Sequence, residues 1–259
     1  MNDQPYAIIL GGTSGLGKDI AIQCLHHGVT PIILGRNIEE CQRDPQLTHG
    51  LLYGVDLTNP RVFVADEFEQ FQQMIAGCRI THVFWIAGIP QKNPFNKMSS
   101  HDIVEQIGVH LTGPLLILNR LFPHLISLGR PIHLVTISSA MITRQSMGKE
   151  VYATLKAAKL TFSREMSASL TAELPGSLVT VVLPGPMTTS FHDDLINDTN
   201  VPLISSADVA YVIAGQVGLS QGSSFRPVAD IGPFAVLAIE AQPGAFNEIQ
   251  LKYLFRFHT

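Results

Sequence analysis

The stretch LGGTSGLGKDI, residues 10–20, packs four glycines into the seven positions 11–17. It follows the apolar run AIIL (7–10) and leads into an amphipathic segment, 16–27. Such an order predicts a buried strand, a bend and a helix. A helix that starts at a bend points its unpaired N–H groups and the positive end of its dipole outward. Glycines let the backbone come close, so a pyrophosphate would fit against Gly11, Gly15 and Gly17, with Thr13, Ser14 and Leu16 between them. A plain tight turn of small residues is the alternative, and the flanking strand and helix favour the dinucleotide.

The same alternation continues along the chain. Short apolar runs at AIIL (7–10), PIIL (31–34), LLYGV (51–55), HVFWIA (82–87), IHLVTI (132–137) and LVTVVL (178–183) read as buried strands. Between them, residues 16–27, 61–76, 99–127, 150–174 and 206–219 carry helical patterning, and 37–47 does so until Pro45 cuts it short. Unbroken apolar strands alternating with helices predict an α/β fold, a doubly wound parallel sheet of the Rossmann type in three αβα layers. No Ser/Gly-rich linker interrupts the pattern. We expect a single nucleotide-binding domain over residues 1–259, with 233–259 as a C-terminal extension.

Composition narrows the functional classes. Hydrophobic residues make up 46% and charged residues 15%, and mean hydropathy is +0.22, which suits a large buried core. The net charge is −4 with no lysine or arginine cluster, so no nucleic acid or membrane partner is expected. Pro114, Asn119, Arg120 and Pro123 interrupt the best candidate for a membrane span. The start MNDQPYAIIL lacks a secretory signal pattern. Cys24, Cys41 and Cys78 are scattered and the ten histidines show no ligand spacing. Neither disulfides nor a metal are expected, and the cytoplasm is the expected location.

The second expected strand ends in LGRN, and Arg36 lies 19 residues after Gly17. This is where a dinucleotide fold reads the adenosine ribose. An acid there would suit NAD. Arg36, with Asn37 beside it, offers planar donors to the 2′-phosphate of NADP, so NADP(H) is expected over NAD. A solvated arginine at a strand end is the plain alternative.

The spacing G-x-x-x-G-x-G at 11–17 resembles the nucleotide loop of the short-chain dehydrogenase/reductase family. The resemblance extends to further positions. Asp56-Leu57 resembles the acid and neighbour that hold the adenine. Ala87-Gly88 resembles the end of the family's Asn-Asn-Ala-Gly motif, with Trp85 and Ile86 in place of the asparagines. Pro184-Gly185, Met187 and Thr189 resemble the segment that holds the nicotinamide carboxamide. Leu10 stands where the family usually has threonine.

VYATLKAAK (151–159) places Tyr152 and Lys156 four apart on one helical face. Ser139 lies 13 residues before Tyr152. The three resemble the family's Ser–Tyr–Lys set, which implies hydride transfer between a nicotinamide and a carbonyl or alcohol. Tyr152 would transfer the proton, Ser139 would orient the substrate oxygen, and Lys156 would tune the phenol and grip the ribose. An ammonium roughly 6 Å from the phenol would favour the phenolate by about 3 kcal/mol at an effective dielectric of 20. His110 stands where the family has a relay asparagine. It would either hold the same water or be a histidine buried between helices.

Ile89–Pro90, Met141–Gln145 and Met187–Leu203 are expected to line the substrate pocket, with Arg144, Phe191 and His192 among them. The last strand is expected near Pro227–Asp230, and Tyr253, Phe255 and Phe257 alternate as in an extended piece. The resemblance implies a small carbonyl or alcohol substrate and a homodimer or homotetramer. A nucleotide-binding sensor or scaffold of the same fold is the competing reading.

Overall fold

The computed structural model describes residues 4–59, 67–143, 145, 147–189, 203–219, 234–241 and 249–256. Strands β1 (Pro5–Leu10), β2 (Thr30–Gly35), β3 (Leu51–Gly54), β4 (Arg79–Trp85), β5 (His133–Ile137) and β6 (Leu178–Pro184) occupy the six apolar runs. Helices α1 (Gly15–His26), α2 (Ile38–Arg43), α3 (Glu67–Ile75), α4 (Ser100–Ile107), α5 (Gly113–Leu128), α6 (Glu150–Glu173) and α7 (Ser206–Gln216) lie between and after them.

The sheet continues through β7 (Phe234–Ala241) and β8 (Ile249–Arg256), in the order β3-β2-β1-β4-β5-β6-β7-β8. Every pairing is parallel except the last, in which β8 runs antiparallel to β7. The order reverses between β1 and β4, and in such sheets the crevice beyond the strand ends at that point receives the ligand.

Alternate residues of each strand feed opposite layers. On β1, Ile8 and Leu10 join Phe71, Ile75, Ile117, Leu121 and Leu170 of α3, α5 and α6. Ala7 and Ile9 turn instead to Leu16, Ile20, Val209 and Ile213 of α1 and α7. Both faces are covered, which is why the strands are apolar without a break.

Two segments depart from expectation. Among the described residues the last parallel strand is β7; Pro227–Asp230, where a last strand is expected, lies outside them. A strand beside β6 is covered on both sides, and Ala235–Ile239 is fully apolar whereas PVAD is not. Tyr253 and Phe255 belong to β8, paired with Leu237 and Val236 across a bulge, and Phe257 is outside the described residues.

The expected helix 99–127 is continuous but changes pitch. Between α4 and α5, Gly108–Thr112 forms π-helix. Pro114, lacking an N–H, cannot complete the regular ladder there. Ser100–Leu128 has the length and apolar content of a membrane-crossing helix. Its Ile117, Leu121 and Leu125, spaced by four, are buried in the core instead.

Candidate active site

The glycine bend lies between β1 and α1. Gly11 adopts φ +89°, and a Cβ on it would sit 2.7 Å from the Ala87 Cα. A Cβ on Gly17 would lie 2.0 Å from the Gly11 carbonyl oxygen. Close packing of the turn therefore requires these two glycines whatever binds in front of it. Gly15, at φ +49°, is different: a Cβ there would meet only Thr189. Ser14 caps α1 in an extended conformation without a side-chain hydrogen bond, so the first N–H groups of α1 face the cleft unclaimed by a capping side chain.

The cleft in front of the bend has a volume of about 510 Å³. Of the residues singled out from the sequence for cofactor binding and catalysis, all line it except His110. Arg36 and Asn37 lie at the end of β2, both exposed. Asp56 accepts hydrogen bonds from the Thr58 backbone (2.9 Å) and hydroxyl (2.8 Å), which orients its carboxylate beside Leu57. At the other end, the Gly185 N–H donates to Ile239 on β7 at 2.8 Å. The Thr189 hydroxyl oxygen is buried with no hydrogen-bond partner among the described residues. Arg144, Phe191 and His192 lie outside the described residues.

Ser139, Tyr152 and Lys156 come together on one wall. β5 ends at Ile137, and the next two residues are both serines with separate tasks. Ser138 donates to the Lys156 carbonyl (2.8 Å), tying α6 to the strand end. Ser139 accepts the Met141 N–H (3.2 Å) and shares a side-chain hydrogen bond with Tyr152. One turn along α6, the Lys156 Nζ donates to the Ile137 carbonyl (3.1 Å), 5.4 Å from the centre of the Tyr152 ring.

Electrostatics differ from the expectation of a phenol lowered by an ammonium. Burial pushes the Tyr152 hydroxyl above its ordinary value, with the Ser139 hydrogen bond opposing. Burial likewise lowers Lys156 to about 7. Both groups are largely desolvated, so each favours its neutral form, and Lys156 has less charge at neutral pH with which to stabilise a phenolate.

His110 lies behind the cleft wall, fully buried, in the π-helical turn. Its ring meets Tyr152 edge to face at 5.5 Å. Its Nε2 is 3.0 Å from the Ile89 nitrogen and 2.9 Å from the Ile89 oxygen, so one tautomer accepts from that residue and the other donates to it. Nδ1 is buried without a partner among the described residues. Burial holds the ring neutral, well below the usual histidine value, with Lys156 and Lys159 adding to the effect.

Two contributors escaped the sequence reading. Gln91, almost fully buried, accepts the Tyr152 N–H at 2.9 Å and donates to the Asn93 carbonyl at 2.8 Å. It anchors the start of α6. Lys159, fully buried, donates to the Ala87 carbonyl at 2.7 Å. Neither sits in a local pattern that marks it, because Tyr152 lies 61 positions from Gln91 and Ala87 lies 72 from Lys159.

Comparison with known proteins identifies the family and the fold. The family model described as short chain dehydrogenase matches residues 5–200. The chain belongs to the short-chain dehydrogenase family. It is therefore an oxidoreductase dependent on a nicotinamide dinucleotide. Similar folds occur in 3-ketoacyl-(acyl-carrier-protein) reductase from Brucella melitensis complexed with NADH, at 16% identity and a TM-score of 0.75, covering 92% of this chain and 97% of that one. ElxO with NADP bound is 19% identical with a TM-score of 0.72, at 92% and 97% coverage. A putative NAD(P)-dependent gluconate 5-dehydrogenase from Beutenbergia cavernae is 19% identical with a TM-score of 0.74, at 90% and 94%. No curated protein sequence matched significantly.

The residues of this short-chain dehydrogenase fit such a cofactor. The unclaimed N–H groups at the start of α1 suit a diphosphate, and the Thr189 hydroxyl suits a polar carboxamide.

Proposed function

We propose that this short-chain dehydrogenase reduces a ketone or aldehyde with NADPH, or oxidises the corresponding alcohol with NADP. The carrying observation is the Ser139–Tyr152 hydrogen bond, beside Lys156 on the wall of a cleft that opens onto the glycine bend. Arg36, lining the same cleft at the end of β2, supports NADP(H) over NAD because its fork of donors suits a 2′-phosphate.

When bound, the cofactor supplies hydride to the carbonyl carbon. The chain's own residues handle the oxygen. Ser139 donates to it and fixes its position, and Tyr152 gives it a proton. A buried phenol held protonated is the form needed for reduction, which supports that direction. Lys156 then returns a proton towards Tyr152, and a water held by the His110 Nδ1 would resupply Lys156. Screening ketones and aldehydes for NADPH oxidation, beside Tyr152→Phe, tests the reaction. Tight NADPH binding with no turnover on any carbonyl would favour the sensor or scaffold reading. For the relay, His110→Phe should slow turnover at saturating NADPH and His110→Asn should restore it. Equal rates in all three proteins would dismiss it.

The same reading includes one domain across residues 1–259, a cytoplasmic location and a homodimer or homotetramer. Cys24, Cys41 and Cys78 are buried and unpaired, as suits a reducing compartment. Val104 and Ile107 on α4 are 67% and 40% exposed, an apolar surface that suits a second subunit. Sedimentation of the full chain tests the assembly.

A further inference from the structure

The loop leaving β4, residues 86–89, walls the cleft between the glycine bend and Tyr152. Its front is fixed to β1, because the N–H groups of Ile86 and Ala87 both donate to the Leu10 carbonyl, at 3.0 and 2.8 Å. Its own side chains offer nothing polar with which to fix the rest. Trp85, just before it, is fully buried and its indole nitrogen has no partner among the described residues.

Two side chains from other elements approach from behind. Lys159 of α6 donates to the Ala87 carbonyl at 2.7 Å, with its Nζ 4.9 Å from the centre of the Trp85 rings. His110 meets the backbone of Ile89 through Nε2, and its Cε1 stands 2.6 Å from where a Gly88 Cβ would be. Neither residue lines the cleft. Burying an amine opposes folding, and Lys159 has no ion-pair partner among the described residues. A leucine or methionine would avoid that cost. What the amine adds is the bond to Ala87.

We propose that Lys159 and His110 are positioning residues, clamping the backbone of residues 87–89 from behind so that it meets the ribose–nicotinamide end of the dinucleotide already ordered. This rests on the cofactor reading above. A loop held before binding loses less conformational freedom when the ligand arrives, and the benefit falls on that end of the ligand alone.

The ligand can therefore be divided. Dissociation constants are measured by calorimetry for NADPH and for adenosine 2′,5′-bisphosphate, which lacks the nicotinamide and its ribose. The proteins are the native enzyme, Lys159→Met and His110→Phe. Both variants should bind NADPH about fivefold or more weakly, the cost of ordering the freed loop when the ligand arrives, and bind the bisphosphate as the native enzyme does. Unchanged NADPH affinity overturns the inference, and so does an equal loss for both ligands, which marks general damage. Should a variant fail to fold, amide hydrogen exchange on the native enzyme decides. The clamp takes the tautomer in which Nε2 accepts the Ile89 N–H, so slow exchange at Ile89 supports it and free exchange refutes it. Failure of the native enzyme to bind NADPH or NADH would remove the cofactor reading and the clamp with it. Normal native binding with unaffected variants removes the clamp alone.

Discussion

Lys156 and Tyr152 stand one turn apart on α6, the amine 5.4 Å from the centre of the phenol ring and bonded away from it to the Ile137 carbonyl. Burial keeps the phenol protonated, and under the proposed function it gives that proton to the substrate oxygen. Tyr152→Phe removes that proton and leaves the cleft's shape. Turnover of any carbonyl substrate should fall by about 10²–10⁴-fold, with NADPH still bound by calorimetry. Undiminished turnover would remove Tyr152 from the reaction.

The depressed Lys156 amine has a consequence for stability. The folded chain holds it at about 7 against an ordinary value of 10.5. Between these values the unfolded chain binds a proton that the folded one does not, so stability rises with pH across the window. Tyr152, raised above its ordinary 10.0, reverses the slope at higher pH. Urea midpoints of the native protein should climb from pH 7 towards 10 more steeply than those of Lys156→Met. Parallel curves would refute the assignment.

On the proposed reading, Arg36 selects the cofactor by meeting the 2′-phosphate. Arg36→Asp should weaken NADPH by about 10–100-fold, the worth of a hydrogen bond to a charged group, and leave NADH unchanged or tighter. Equal effects on the two cofactors, measured by fluorescence titration, would show that Arg36 faces solvent.

Two glycines separate packing from chain freedom. An alanine Cβ at Gly17 would collide with the Gly11 carbonyl oxygen at 2.0 Å, whereas one at Gly77 would meet nothing within 4 Å. Gly17→Ala should destabilise by about 2–3 kcal/mol and impair NADPH binding. Gly77→Ala should be stabilising by about 0.4–1 kcal/mol, since alanine restricts the unfolded chain. Thermal melts of both check the contrast.

Much of the architecture was legible because strands covered on both faces must be apolar without interruption. AIIL, PIIL and LVTVVL announce their own burial. FAVLAIEA, which forms β7, is mostly apolar too, but Glu240 interrupts its end and it lies beyond the expected last strand.

Sequence alone was enough for the order of strands and helices, the glycine bend, and the pairing of Tyr152 with Lys156. These rest on neighbours within a few positions, where chain geometry leaves few choices. It also brought Ser139 within reach through a recognisable spacing. Only the folded molecule decided that the phenol is raised and the amine lowered, because desolvation depends on everything packed around a group. It alone brought Lys159 to Ala87, 72 positions away, and His110 to Ile89, 21 positions away. Contacts that close over such separations leave no periodic trace in the chain, since each partner satisfies its own local pattern equally well without the other.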